Sequence, residues 1–377
     1  MRAVAVFPAE KQVRVIDHPE PSISSPTEVK LKMIDIGVCG TDKEIVAFQY
    51  GQPPAGCPYL VIGHESLGEA IEVGSGCTKV KKGDLVVTMV RRPCDVPTCV
   101  ACRAGRQDFC YTGQFTERGI NGRHGFMAQF SVDDEKYMNV VPASLRDIAV
   151  LVEPLTIAEK ALEQLWQIQE RLPWACPVPA GQAAPAGQSG EQFCHKALVL
   201  GAGPVGLLGA MALRLAGFKT WVYSKNPVPS QQSQLCDAIG ATFISADTSS
   251  VDDAAKMIGG IDVVYEAVGA SSLAFDVMRV LGTNGVFIFT GVPGRKGPIS
   301  IDGDLLMRDF VLKNQVIYGT VNAGKQAFED AISDLGKFRA KWPGAVEQLI
   351  TGRFSMDQAF DLLSGKQGGI KNVVSAQ

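Results

Sequence analysis

The sequence predicts an α/β protein of two domains: a β-rich first domain with clustered cysteines, and a second domain built on a doubly wound parallel sheet. Three observations carry this. Residues 196–209 read as an apolar strand, a glycine turn and an apolar helix, with Gly201, Gly203 and Gly206 in G-x-G-x-x-G spacing. Residues 1–35 alternate apolar and polar side chains between Pro and Ser turns, the pattern of antiparallel strands. Four cysteines fall between positions 94 and 110 on a stretch with little hydrophobic bulk.

At 377 residues the chain is long enough for two domains that each bury a core. Its 46% hydrophobic and 20% charged content and its net charge of −3 carry no electrostatic bias toward nucleic acid or a membrane surface. The first residues run straight into strand-like alternation, so no signal peptide is expected, and no apolar run reaches membrane-spanning length. Ten cysteines, several closely spaced, then favour metal ligands over a disulfide framework, in a cytoplasmic protein.

In chain order, Val13-Arg-Val-Ile and Glu28-Val-Lys-Leu-Lys-Met-Ile are strands, followed by Gly37-Val-Cys-Gly-Thr-Asp42 and, after a Pro/Gly-rich loop, Gly63-His64-Glu65. A single cysteine is most often a small core residue and a single histidine is most often satisfied locally. Cys39 and His64 together, in a chain with a dinucleotide-type motif, point to a catalytic zinc with one coordination position open. Residues 68–87 are strand, glycine turn and strand, and Cys77 in that turn reads as structural. Cys94, Cys99, Cys102 and Cys110 follow in C-x4-C-x2-C-x7-C spacing, which points to a closed structural zinc that supplies folding energy the lobe's burial lacks. Residues 173–195, rich in Pro, Ala, Gly and Gln, read as a loop or linker, and Cys176 and Cys194 there carry no visible chemistry.

The glycine motif follows this linker. Its first glycine permits the tight turn, its second lets a pyrophosphate approach the backbone, its third packs helix on strand, and the helix N-terminus offers N–H groups to phosphate. Residues 219–226 form the second strand of this Rossmann unit. NAD-binding proteins place Asp or Glu at that strand's end for the ribose 2′-OH, whereas Ser224, Lys225 and Asn226 stand here and can all donate to a 2′-phosphate. NADP is therefore expected, with NAD use also open; the alternative for Lys225 is a solvated surface charge. Residues 262–269 and 285–294 extend the parallel sheet around a helical 273–281, and 325–338 and 356–363 read as amphipathic helices.

These residues carry a resemblance over nearly the whole chain. The Gly37–Asp42 and Gly63–Glu65 motifs, the cysteine lobe and the GAGPVG turn are similar to the zinc-dependent medium-chain dehydrogenase/reductase superfamily. Residues 90–93, 117–120, 124–127, 152–160 and 318–322 resemble its glucose (aldose) 1-dehydrogenase branch. The resemblance implies a GroES-like catalytic domain over 1–165, a Rossmann NAD(P) domain over 166–315 and a return to the catalytic domain over 316–377. It implies that Glu65 and Glu153 join Cys39 and His64 at the catalytic zinc, directly or through water, and that Thr41 serves a proton relay. The other reading of Glu153 is a helix-start residue before Pro154, and that of Thr41 is a cap of the following helix. Glu117 and Asn322, with Thr41 and Glu153, are the implied sugar contacts. Pro204, Val205, Val268, Gly269, Thr290, Val321 and Asn322 are the implied cofactor contacts, besides the glycines and residues 224–226.

The chain departs from the family in three places. Four residues, not two, separate Cys94 from Cys99; Glu44 stands where ordinary alcohol dehydrogenases carry a relay histidine; and Ile157 and Leu312 are apolar where some members of the branch are polar. His124 reads as structural. The expected activity is oxidation of a glucose-like aldose at C1 to the 1,5-lactone with hydride transfer to NADP or NAD, in a homo-oligomeric (dimeric or tetrameric) enzyme with a small-molecule substrate. The alternatives are a polyol or alcohol dehydrogenase of the same superfamily and, more distantly, a non-catalytic cofactor-binding relative.

Overall fold

The computed structural model describes residues 1–172, 195–294, 297–365 and 367–376. Of the expected loop at 173–195, residues 173–194, with Cys176 and Cys194, lie outside these residues.

Two compact units are present. The first comprises Met1–Thr156, Asn322–Arg339 and Val346–Gln377, and the second Ile157–Val321 and Ala340–Ala345. These units divide at 156/157 and 321/322, beside the expected 165/166 and 315/316. Part of the reason is the helix Val152–Gln169, whose later turns are fastened to second-unit elements: Tyr318 Oη donates to Ala161 O at 2.7 Å, and Trp166 stacks on Phe218. The rest is the run Val316–Gly319, which pairs in parallel with Val286–Phe289 as the last strand of the second unit's sheet.

In the first unit the long strand Glu28–Gly37 is central. It pairs antiparallel with Glu65–Val73 on one side and with the C-terminal strand Lys371–Ser375 on the other, and Phe130–Asp134 joins it as well. Its alternation buries Val29, Leu31 and Met33 against Val4, Val6, Ile62, Phe126 and Val374, and each such side chain contributes about 1.5–3 kcal/mol. A charged knot lies beside this core, where Asp133 pairs with both Arg92 and Arg118.

The second unit is a six-stranded sheet in the order Thr242–Ser245, Lys219–Ser224, Lys196–Leu200, Val263–Glu266, Val286–Phe289, Val316–Gly319, and every pairing is parallel. In chain order this is 3-2-1-4-5-6, the doubly wound dinucleotide-binding arrangement. Strands buried on both faces need continuous apolar runs, which Ala197-Leu-Val-Leu and Val286-Phe-Ile supply.

Candidate active site and cofactor site

The site in the first unit starts at the end of the central strand. Cys39 is the N-cap of the helix Gly40–Val46: its sulfur accepts from Thr41 N at 3.2 Å, while Asp42 Oδ2 accepts from Cys39 N at 3.0 Å, a capping box. Cys39, not Thr41, thus caps this helix. Thr41 stands in the first turn beside the thiol, partly exposed.

His64 and Glu65 enter from the start of the neighbouring strand, and both are buried. His64 Nε2 lies 3.1 Å from Cys39 Sγ, and His64 Nδ1 lies 3.3 Å from Asp42 Oδ1. A carboxylate on one ring nitrogen turns the other toward the thiol, the orientation a metal-ligating histidine needs. Burial alone would lower the His64 pKa, but the Cys39 and Asp42 charges outweigh it and raise it well above the ordinary imidazole value. Glu65 pairs with Lys371, a fully buried lysine whose Nζ also donates to Val38 O at 3.0 Å. Gly37 faces this carboxylate: a Cβ there would lie 2.0 Å from Glu65 Oε2.

One ligand atom from each of Cys39, His64 and Glu65 falls within 4.8 Å of the others, and Glu153 lies outside that group. Glu153 sits in the first turn of the helix Val152–Gln169, where burial raises its carboxyl to about 7, opposed by His64 and reinforced by Glu65. The set fits a zinc ion. It offers a sulfur, an imidazole nitrogen and a carboxylate, with the histidine oriented from behind, and the proton that His64 retains so strongly is the positive charge a cation would replace.

Glu117 and Asn322, distant in sequence, meet in the same unit. Asn322 Nδ2 donates to Glu117 Oε1 at 3.3 Å, and the same oxygen accepts from Arg91 Nε at 3.1 Å and Nη2 at 3.0 Å. Asn322 Oδ1 is buried with no hydrogen-bond partner, an acceptor that a ligand hydroxyl would satisfy.

The cysteine lobe brings all four sulfurs together. Cys94 Sγ and Cys102 Sγ are 3.7 Å apart, and Cys99 Sγ and Cys110 Sγ 3.9 Å. Four sulfurs at zinc bond length in a tetrahedron have edges of about 3.8 Å, so the lobe fits a closed zinc site. The longer Cys94–Cys99 spacing is taken up by a turn in which Cys99 N donates to Val96 O at 3.0 Å.

In the second unit the strand Lys196–Leu200 ends at Gly201, and Gly203 caps the helix Pro204–Leu215, which begins with Pro204, Val205 and Gly206 and has no side chain on its N-terminal N–H groups. A Cβ on Gly206 would lie 2.1 Å from Gly201 O, whereas one on Gly203 would meet nothing within 4 Å. The third glycine is thus needed by the fold, and the second leaves space for a ligand. At the end of the next strand, Ser224 Oγ donates to Asn226 Oδ1 at 2.8 Å, which leaves the Asn226 amide N–H groups and the exposed Lys225 as donors. Glu266 Oε1 accepts from Val268 N and Gly269 N at 2.8 and 2.7 Å, and Thr290 Oγ1 donates to Glu266 O at 2.8 Å. Val268 and Val321 are exposed.

Comparison with known proteins follows the same division. Residues 25–143 match the alcohol dehydrogenase GroES-like domain, and residues 146–376 match the glucose dehydrogenase C-terminus family. The chain belongs to the glucose dehydrogenase family of medium-chain dehydrogenases. Glucose 1-dehydrogenase of Thermoproteus tenax is 38% identical over 378 residues, covering 100% of both chains, and that of Methanocella arvoryzae is 35% identical over 377 residues, covering 99% of each. Among solved structures, Haloferax mediterranei glucose dehydrogenase in complex with NADP, Zn and gluconolactone superposes with a TM-score of 0.86 at 29% identity, covering 100% of this chain and 99% of that one.

Three residues of this glucose dehydrogenase site are not identified by the sequence reading. Asp42 had a signal: it stands three residues past Cys39, the second partner of a capping box. Lys371 had a weaker one, a lysine opening an apolar strand. Arg91 lies in a motif that marks the branch, but its pairing with Glu117 depends on the local sheet Arg91–Arg92 with Thr116–Arg118.

Proposed function

We propose that this enzyme oxidises the ring form of glucose or a similar aldose at C1 to the 1,5-lactone, passing hydride to NADP and, less well, to NAD. One observation carries the reading: in a chain of this family, one compact unit holds both the Cys39/His64/Glu65 donor set and the Glu117–Asn322 pair with its unsatisfied acceptor. A glucose dehydrogenase of known structure binds NADP, zinc and gluconolactone, and it is similar to this chain over its whole length.

Cys39 Sγ and His64 Nε2 would hold the catalytic zinc, Glu65 would ligate it or stay with Lys371, and Glu153 would reach it directly or through water. Cys94, Cys99, Cys102 and Cys110 would hold the structural one. When bound, zinc supplies the Lewis acidity that acidifies a sugar hydroxyl, and the nicotinamide accepts the hydride. The C1 hydroxyl proton leaves by the Thr41 hydroxyl, which both donates and accepts, toward solvent or Glu44. Glu117, held in place by Arg91, and Asn322 Oδ1 accept from other sugar hydroxyls and hold the ring. The balance is aldose plus NADP⁺ to lactone, NADPH and a proton. Gly201, Gly203 and Gly206 with Pro204 and Val205 would seat the pyrophosphate, Ser224, Lys225 and Asn226 the 2′-phosphate side, and Val268, Gly269, Thr290 and Val321 the nicotinamide.

Initial rates on glucose, galactose, xylose, sorbitol and primary alcohols, each with NADP and NAD and followed by cofactor absorbance, test the reading. Aldoses with NADP are expected to be fastest. Faster turnover of sorbitol or primary alcohols would make the chain a polyol or alcohol dehydrogenase.

A further inference from the structure

Beyond the helix Gly40–Val46 the first unit has a pocket of about 360 Å³ that the aldose reading does not use. Its lining includes Ile45 and Phe48, the exposed Tyr50, and Gln49, Gln52 and Asn121, three residues whose side chains end in primary amides, that of Asn121 donating from Nδ2 to Phe115 O at 3.5 Å. Planar amides that donate and accept side by side suit vicinal hydroxyls, and an aromatic face suits the C–H face of a pyranose.

The wall of this pocket is firmly built and joined to Glu117. Gln52 N donates to Ile120 O and Gly122 N donates to Gln52 O, both at 2.9 Å, so the two loops form a short parallel bridge. Within the second loop, Glu117 N donates to Asn121 O at 2.8 Å and Asn121 N to Glu117 O at 3.0 Å. The backbone that carries the proposed sugar carboxylate is therefore bonded directly to the residue that lines the pocket. Tyr50 reports the same proximity, since partial burial and then the Glu117 charge raise its phenol above the ordinary value. The chain also holds Phe48 at φ 59°, a left-handed conformation that is costly for an aromatic residue and frequent at binding sites. Ile45, which lines the pocket, lies on the helix that Cys39 caps, a rise of roughly 9 Å along its axis from Cys39.

We propose that this pocket is a second carbohydrate subsite, which receives the non-reducing ring of a reducing disaccharide while the reducing ring is oxidised at C1. The inference rests on the aldose reading. The enzyme takes disaccharides as well as monosaccharides, and Gln49, Gln52 and Asn121 recognise the outer ring.

Steady-state kinetics of the zinc-loaded enzyme with NADP on glucose, maltose, cellobiose and melibiose tests this, with the Gln49→Ala/Gln52→Ala double variant in parallel. Both glutamines are exposed, so the variant is expected to fold. At least one disaccharide should reach a tenth or more of the glucose kcat/KM. The double variant should lower that disaccharide's kcat/KM at least tenfold, through KM, and change glucose less than twofold. Active glucose with every disaccharide below a tenth overturns the subsite, as does a variant that lowers glucose and disaccharide alike. Inert glucose overturns the aldose reading and the subsite with it.

Discussion

Lys371 shows how much one buried side chain decides. Its ammonium is fully enclosed, with Glu65 and Val38 O facing it. Burial would lower its pKa, and the Glu65 and Cys39 charges raise it instead, so Lys371 keeps its charge. Lys371→Met leaves Glu65 buried and unpaired and should lower the unfolding free energy by about 3–5 kcal/mol in urea melts. Adding Glu65→Gln should restore most of that loss, and a double variant as unstable as the single one would remove the pairing argument. His124 makes a pH-dependent case. Its Nδ1 accepts from Val61 N at 3.1 Å, and burial, then the His18 and Arg118 charges, push its pKa down to about 4. The unfolded chain takes up this proton near 6.5. Stability from this group is therefore complete above about pH 6.5 and is lost as pH falls toward 4. His124→Asn should reduce the drop in urea midpoint between pH 7 and pH 4.5, and an unchanged drop would assign it to other groups.

Among the elements, the strand–turn–helix at 196–215 was legible because its chemistry is local: an apolar run, three spaced glycines, and Pro204 opening a helix. The second and third glycines of the turn separate folding from binding. Gly206→Ala drives a Cβ into Gly201 O and should lower the apparent melting temperature of the cofactor-free enzyme. Gly203→Ala meets no protein atom and should leave that temperature unchanged while raising the NADP KM at least tenfold, because the added methyl occupies the space of the pyrophosphate. Equal effects of the two on the cofactor-free melt would contradict this division. The elements that could not be read were those made by long-range pairing. No local pattern shows that 371–375 returns to the strand 28–37, which is what brings Lys371 to Glu65. Likewise Asn322 reaches Glu117 only through the tertiary fold, so their meeting had to come from family resemblance, while Cys39, His64 and the four clustered cysteines stood out by residue type and spacing alone.

For the whole molecule, cofactor choice should be readable as stability, since a ligand that binds only the folded chain stabilises it by mass action. At a hundredfold excess over Kd this is about 2.7 kcal/mol. NADP should therefore raise the melting temperature more than the same concentration of NAD, because only its 2′-phosphate can take hydrogen bonds from Lys225 and the Asn226 amide. A hydrogen bond to a charged group contributes about 1.5–3 kcal/mol, or roughly ten- to a hundredfold in Kd. Lys225 is exposed at the end of its strand, so Lys225→Asp should leave the ligand-free melt in place. The new carboxylate repels the 2′-phosphate and accepts from a ribose 2′-OH, so the larger shift should pass from NADP to NAD. Melts and kcat/KM ratios should move together, and a Lys225→Asp enzyme that still favours NADP would transfer the selectivity to Asn226 and the loop behind it.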